Sequence, residues 1–166
     1  MPIFTKYPPL TSRLSCQLEF LRSCLDCTSV SSYLQLRDLK YAGRERWAGA
    51  ISSSLKESLH TGYFCAWVSG FIEAEGCFFT RTFGSVKSFS IGQNDDLYLI
   101  EYIKFFFSLS TKIRVITQKG DKMKQFYLLE TGSSAGLSRI YQHCSLYPLL
   151  GEKSLQLSKL YQLCLC

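Results

Sequence analysis

The sequence contains no apolar run that is long enough to cross a bilayer, and it shows no secretory signal peptide. Its longest apolar stretches are residues 64–72, which are too few, and 97–109, which Glu101 and Lys104 interrupt. Histidine is scarce, with two residues in 166, and neither has zinc-ligand spacing to a cysteine. Among eight scattered cysteines only Cys24 and Cys27 form a C-x-x-C pair. We therefore expect no secretion and no membrane partner, and we favour reduced thiols over disulfides or a structural zinc.

Acidic side chains are also few, because 13 Asp and Glu stand against 19 Lys and Arg for a net charge of +6. This balance suits a polyanionic partner. Charged residues make up 19% and aromatic residues 14% of the chain, which is typical of a globular protein and not of a disordered tail. The length predicts one ordinary domain with room for an extension.

Residues 63–75 contain no proline and only one glycine, and they predict a helix that ends at Gly76. Ala66, Gly70 and Ala74 recur every four residues, so they form one stripe along this helix. A stripe of small side chains lets the backbone of another helix approach closely.

Glu73 and Glu75 stand at the C-terminal end of this helix, where unsatisfied carbonyls disfavour a carboxylate by a few tenths of a kcal/mol. We therefore expect a cation nearby. The two acids are roughly 200° apart around a helix, so at most one of them serves a given site. The sequence holds no second copy of the segment, so a site with two such carboxylates requires a homodimer. The simpler alternative is a buried helix with two solvated acids at its end.

Residues 68–76 resemble the LAGLIDADG motif of homing endonucleases, specifically of the single-motif type that acts as a homodimer, with Glu for Asp at its sixth and eighth positions. Two further segments match the family in order. Phe89–Gln93 resembles the strand that ends in a polar active-site residue, and Tyr147–Lys153 resembles the segment that ends in the active-site lysine. The resemblance implies that Glu75, Gln93 and Lys153 are catalytic, and that Glu75 and the Gly76 carbonyl bind Mg²⁺ or Mn²⁺. It places a dimer interface at Ala66, Ser69, Gly70, Glu73 and Ala74.

The remaining periodicities predict an α+β fold of order α-β-β-α-β-β-α over residues 61–166, preceded by a partly helical extension or linker over 1–60. In the extension, Ser12 is the predicted N-cap of a short amphipathic helix with Leu14, Leu18, Leu21 and Leu25 on one face. The predicted strands are 77–83, 86–93, 112–118 and 124–130, with helices at 97–108 and from Ser133 or Ser134 to Pro148. In the last strand, Phe126 and Leu128 are predicted to face inward and Gln125 and Tyr127 outward.

One face of the antiparallel sheet is expected to pack on the helices and the other to form a saddle that binds double-stranded DNA in its major groove. The residues predicted to contact DNA are Cys77, Phe79, Arg81, Ser88, Ser90, Arg114, Gln118, Gln125 and Tyr127.

The predicted function is site-specific hydrolysis of double-stranded DNA by a metal-dependent endonuclease. Two alternatives use the same fold: a maturase-like protein that binds intron RNA and assists splicing, and a remnant that no longer cleaves. The resemblance also implies a gene in an organellar intron, of a mitochondrion or chloroplast. Only 13 residues follow Lys153, so we expect a domain that is short at its C-terminal end.

Overall fold

A computed structural model describes residues 2–58, 62–80, 86–117 and 125–164. The chain divides into two compact units, Met1–Glu57 and Ser58–Cys166. Of the residues predicted to contact DNA, Arg81 and Gln118 lie outside the described residues. In the parts of the chain that are described, no helix is both long and apolar enough to span a membrane.

The first unit consists of four helices: α1 (Pro2–Lys6), α2 (Ser12–Cys24), α3 (Val30–Leu39) and α4 (Arg44–Ser58). Polar contacts join α4 to α2. Glu19 accepts hydrogen bonds from Arg46 at 2.7 Å and from the Trp47 indole at 2.8 Å. The Arg44 guanidinium donates to Ser12 at 3.0 Å. The predicted cap at Ser12 is therefore wrong: Ser12 is the first helical residue, and the Thr11 hydroxyl caps α2 instead.

The leucine face predicted for α2 does not form a core. Leu14, Leu21 and Leu25 are 41%, 53% and 81% exposed, whereas the buried residues of α2 are Ser12, Ser15 and Cys16. Apolar periodicity identifies the apolar side of a helix, but the side that packs depends on the neighbouring elements. Here the helix packs through its small side chains.

The second unit contains α5 (Gly62–Glu75), β1 (Cys77–Thr80), β2 (Lys87–Asn94), α6 (Leu97–Phe106), β3 (Arg114–Thr117), β4 (Gln125–Thr131), α7 (Ser134–Leu146) and α8 (Lys153–Cys164). The predicted α+β class and α-β-β-α-β-β-α order are confirmed, and α8 follows them. The strands form one antiparallel sheet in the order β1-β2-β4-β3.

Helices cover one face of this sheet. The side chains of Val68, Ile72, Ile103 and Ile140, one or more from each of α5, α6 and α7, are completely buried. Ser133 caps α7, because its hydroxyl accepts the Gly136 N–H at 3.2 Å. The cysteines whose side chains are described are free thiols: Cys16, Cys24, Cys27, Cys65, Cys77 and Cys144.

The register between β2 and β4 decides which side chains face the helices. Phe89 and Ile91 of β2 are buried and stand opposite Thr131 and Leu129 of β4, so all four share the helix-covered face. Strand alternation then places Tyr127 and Gln125 on that face as well.

The predicted orientation of β4 is therefore wrong. Phe126 and Leu128 face the open side, whereas Gln125 and Tyr127 do not. Residues 126–129 are all apolar or aromatic, so alternation alone is ambiguous there, and the pairing with β2 decides it. The absence of a side chain at Gly92 leaves room for the Phe126 ring on the open face. A Cβ at that position would meet the ring within 2.8 Å.

Candidate active site

Helix α5 buries one side and leaves its small-residue stripe uncovered. Phe64, Val68 and Ile72 are at most 1% exposed. Ala66, Gly70 and Ala74 are exposed, and a Cβ added at Gly70 would meet nothing within 4 Å. A glycine in mid-helix costs about 0.5–1 kcal/mol relative to alanine. No contact within the described chain requires Gly70, so the stripe is an open surface suited to close approach by another helix.

Ser69, which was predicted to lie in the dimer interface, is buried beside this stripe, at 6% exposure. Its hydroxyl donates to the Tyr147 carbonyl at 2.7 Å and lies 3.1 Å from Nε2 of His143. His143 is itself buried against the rings of Phe106 and Phe107, and burial lowers its pKa. Ser69 therefore attaches the end of α7 to helix α5.

This attachment positions the connection between α7 and α8, which brings Lys153 to the end of α5. The Lys153 ammonium donates to the Ile72 carbonyl at 3.4 Å. The same carbonyl accepts the Gly76 N–H at 2.9 Å. A cation at the C-terminal end of a helix is favourable because the exposed carbonyls there carry partial negative charge. Lys153 is thus a cation at the end of the helix that carries the two acids.

Glu73 and Glu75 have different surroundings. The Glu73 carboxylate lies directly against Gly151, and its Oε2 atom is buried without a hydrogen-bond partner. Burial raises the pKa of the neighbouring Cys144 to about 12, and the Glu73 charge adds to that rise. Glu75, in contrast, is the last residue of α5 and is exposed. Of the two acids, Glu75 is the more exposed.

Gly76 leaves no room for a side chain where α5 meets β1. A Cβ there would lie 2.6 Å from the Ile72 carbonyl oxygen and 3.2 Å from the Phe89 ring. Real Cβ atoms do not approach a backbone oxygen so closely. The glycine therefore allows the helix end to sit on the sheet immediately after Glu75.

Gln93 stands near the end of β2, opposite Tyr127 and on the helix-covered face. Its side-chain oxygen accepts the Asn94 N–H at 3.2 Å. Because Cys77 pairs with Ser90, Gln93 lies three residues, or roughly 10 Å, farther along β2 than the start of β1. Lys153 therefore contacts the end of α5, whereas the side-chain hydrogen bond of Gln93 is to the next residue of its own strand.

One chain offers an incomplete set of metal ligands. Within the described residues no group of three or more His, Cys, Asp or Glu side chains could hold a metal ion. The end of α5 provides the exposed Glu75 carboxylate and the Gly76 carbonyl, both hard oxygen donors of the type that Mg²⁺ prefers. The chemistry of these two oxygen donors fits a Mg²⁺ ion.

The open face of the sheet carries part of the predicted DNA-contacting set. Cys77, Phe79, Ser90 and Arg114 lie on this face, and Ser88 shares it but is only 9% exposed. Gln125 and Tyr127 lie on the other face and hydrogen-bond each other. Sequence reasoning missed the open-face residues Ile116, Phe126, Leu128 and Glu130. The alternation of Arg114 with Ile116 in β3 was the available signal for one of them.

Arg114 and Glu130 neutralise each other on the open face. The Arg114 guanidinium lies 2.7 Å from the Glu130 carboxylate, and both side chains are exposed. An exposed pair of this kind contributes only about 0.2–1 kcal/mol. Arg114 can therefore exchange Glu130 for an external acceptor at little cost.

Comparison with known proteins finds matches among endonucleases. Residues 68–164 match the family model described as LAGLIDADG endonuclease. A probable intron-encoded endonuclease aI3 of Debaryomyces hansenii is 37% identical, over 96% of this chain and 26% of the relative. Its namesake in Dictyostelium citrinum is 38% identical, over 92% of this chain and 57% of the relative. The chain thus spans less than two thirds of the length of these two relatives.

The fold has a counterpart among solved structures. The homing endonuclease I-SmaMI, in a crystal structure with cleaved DNA, superposes with a TM-score of 0.59 at 16% identity. The superposition covers 99% of this chain and 61% of that protein.

Proposed function

The chain belongs to the LAGLIDADG endonuclease family, and on that premise we propose that it cleaves double-stranded DNA at a specific site as a homodimer. One observation carries the proposal. Helix α5 has an open stripe of small residues and ends in an exposed carboxylate, Glu75, with the Lys153 ammonium at the same end. A pairing surface and a candidate reactive group therefore lie on one helix.

Pairing of two α5 helices along Ala66, Gly70 and Ala74 explains why that stripe is uncovered in one chain. In a two-fold symmetric dimer the same patch serves both subunits. The two helix ends then lie near each other, and each Glu75 meets its counterpart. The dimer would complete the donor set that one chain leaves incomplete.

Glu75 and the Gly76 carbonyl would hold a divalent cation, Mg²⁺ or Mn²⁺, at this junction. When bound, such an ion polarises a phosphate and lowers the pKa of its water. Lys153 would stabilise negative charge on the phosphate, since its ammonium is already held at the helix end. Gln93 would orient the attacking water from the end of β2. Glu73 would remain a packing residue against Gly151.

The open face of the sheet would bind the DNA that is cut. The chain has a net charge of +6, and the acid Glu130 on this face is already paired with Arg114. Endonuclease names among the relatives and the DNA-bound state of I-SmaMI support this assignment. The intron-encoded names also support a gene in an organellar intron.

Cleavage of a duplex that contains the intron-less insertion locus tests the proposal. We expect cleavage that requires Mg²⁺, and Glu75→Gln should lower its rate by about 10²–10³-fold. Glu101→Gln is the matched control, because Glu101 is an exposed acid on α6 away from the site. A Glu75→Gln variant that cuts like the wild type would refute the assignment.

Binding of intron RNA, measured alongside DNA cleavage, separates the alternatives. Tight binding of intron RNA without metal, together with absence of cleavage, would favour a maturase-like function. Absence of both activities would identify a remnant.

A further inference from the structure

The open face of the sheet exposes apolar side chains at two opposite corners. Phe79 of β1 is 46% exposed and Ile116 of β3 is 45% exposed. The register places both on the open face, because Phe79 pairs with Ser88 and Ile116 pairs with Phe126. If this face binds DNA, as proposed above, contact with apolar groups of the partner would remove these side chains from water.

Among the described residues, the open face carries polar side chains beside these apolar ones. Ser88 is 9% exposed, and Arg114 and Glu130 are paired with each other. In the major groove, the only apolar group on the edge of a base pair is the 5-methyl group of thymine. We propose that Phe79 and Ile116 read thymine methyl groups in the DNA target. This inference rests on the proposed function and adds to it the chemistry of recognition.

Duplex DNA is favoured over an apolar protein surface because the sequence that includes β3 is basic. Residues 112–124, which include β3, contain five Lys or Arg and one acid in the sequence. A segment of this composition complements the phosphates that flank base edges.

The register also predicts how far apart the two contacts lie. Phe79 and Ile116 are separated by three strand spacings of about 4.8 Å. Along the strands they are separated by the six residues from Ser88 to Asn94, at about 3.4 Å each. The resulting distance is on the order of 25 Å, which corresponds to about seven base pairs of duplex. We therefore expect two thymine-dependent positions in each half-site, several base pairs apart.

The test begins with selection of a target. The full-length protein is mixed with a duplex library of random sequence in EDTA, so that binding is measured without cleavage. The enriched duplex is then remade with uracil in place of each thymine in turn, which removes only the methyl group. We expect about fourfold weaker binding at the contacted positions, the factor that corresponds to loss of one buried methyl group.

Two serine variants assign these positions to side chains. Ile116→Ser should make thymine and uracil equivalent at one position, and Phe79→Ser should do so at the other. Val115→Ser is the matched control, because Val115 is 56% exposed on the same strand but faces the opposite side. It should leave every preference for thymine unchanged.

The outcomes distinguish the inference from the function on which it rests. Failure to enrich any sequence would overturn the proposed function itself. An enriched target that binds equally well with uracil at every position would overturn only the inference. A methyl preference that survives in both Phe79→Ser and Ile116→Ser would overturn it as well.

Discussion

Gly70 stands in the middle of helix α5, and its replacement by alanine tests whether two such helices pair. In a single chain the change is harmless, since a Cβ at this position would have no neighbour within 4 Å. Alanine is also a better helix former than glycine by about 0.8–1.0 kcal/mol. The free energy of unfolding of the isolated subunit should therefore rise by about that amount.

In the proposed dimer the same change has the opposite effect. Two additional methyl groups, one from each chain, would enter a contact in which the helix backbones approach closely. Overpacking of a close contact costs about 1–3 kcal/mol. The dissociation constant of the dimer should therefore rise by roughly 5- to 150-fold, since 1.4 kcal/mol corresponds to a factor of ten.

Gly49 provides the matched control for this experiment. It lies inside α4, is exposed, and also has no neighbour within 4 Å of an added Cβ. Gly49→Ala should give a similar gain in helix stability and leave the dissociation constant unchanged. Sedimentation equilibrium measures association, and urea unfolding at low protein concentration measures subunit stability. Equal dissociation constants for the two variants would refute the pairing of α5 helices.

Three further predictions concern other parts of the second unit. Burial lowers the pKa of His143, so the unfolded chain binds that proton more tightly and stability should fall as the pH drops below about 6.5. Urea unfolding of His143→Gln between about pH 7 and pH 5 should show a shallower decline, and an identical decline would contradict this cause. Arg114→Gln should make the slope of log affinity for random duplex DNA against log salt shallower by about one, because Arg114 can exchange Glu130 for a phosphate; an unchanged slope would show that Arg114 makes no phosphate contact. Gly76→Ala should lower the free energy of unfolding by about 1–3 kcal/mol because its Cβ would strike the Ile72 carbonyl, and a thermal unfolding curve like that of the wild type would disprove that clash.

Local signals predicted much of the second unit. The small-residue stripe and the glycine at its end defined helix α5, and the Ser133 cap predicted the start of α7. Turn and alternation signals gave the correct order of strands and helices. These features depend on residues that are close in sequence, where helical and strand periodicities and caps act directly. The separation of Glu73 from Glu75 also followed from helix geometry alone.

The tertiary structure alone decided which faces are buried and which distant groups meet. The orientation of β4 depends on its register with β2, and the exposure of Leu21 depends on the helices beside α2. The hydrogen bond from Ser69 to Tyr147 and the approach of Lys153 to Ile72 join residues about eighty positions apart. A residue's own periodicity carries no information about such partners, because burial and register are set by contacts between remote segments. The sequence by itself therefore determined the order of elements from α5 to α7 and the candidate residues, and the packing of the chain determined which side chains meet.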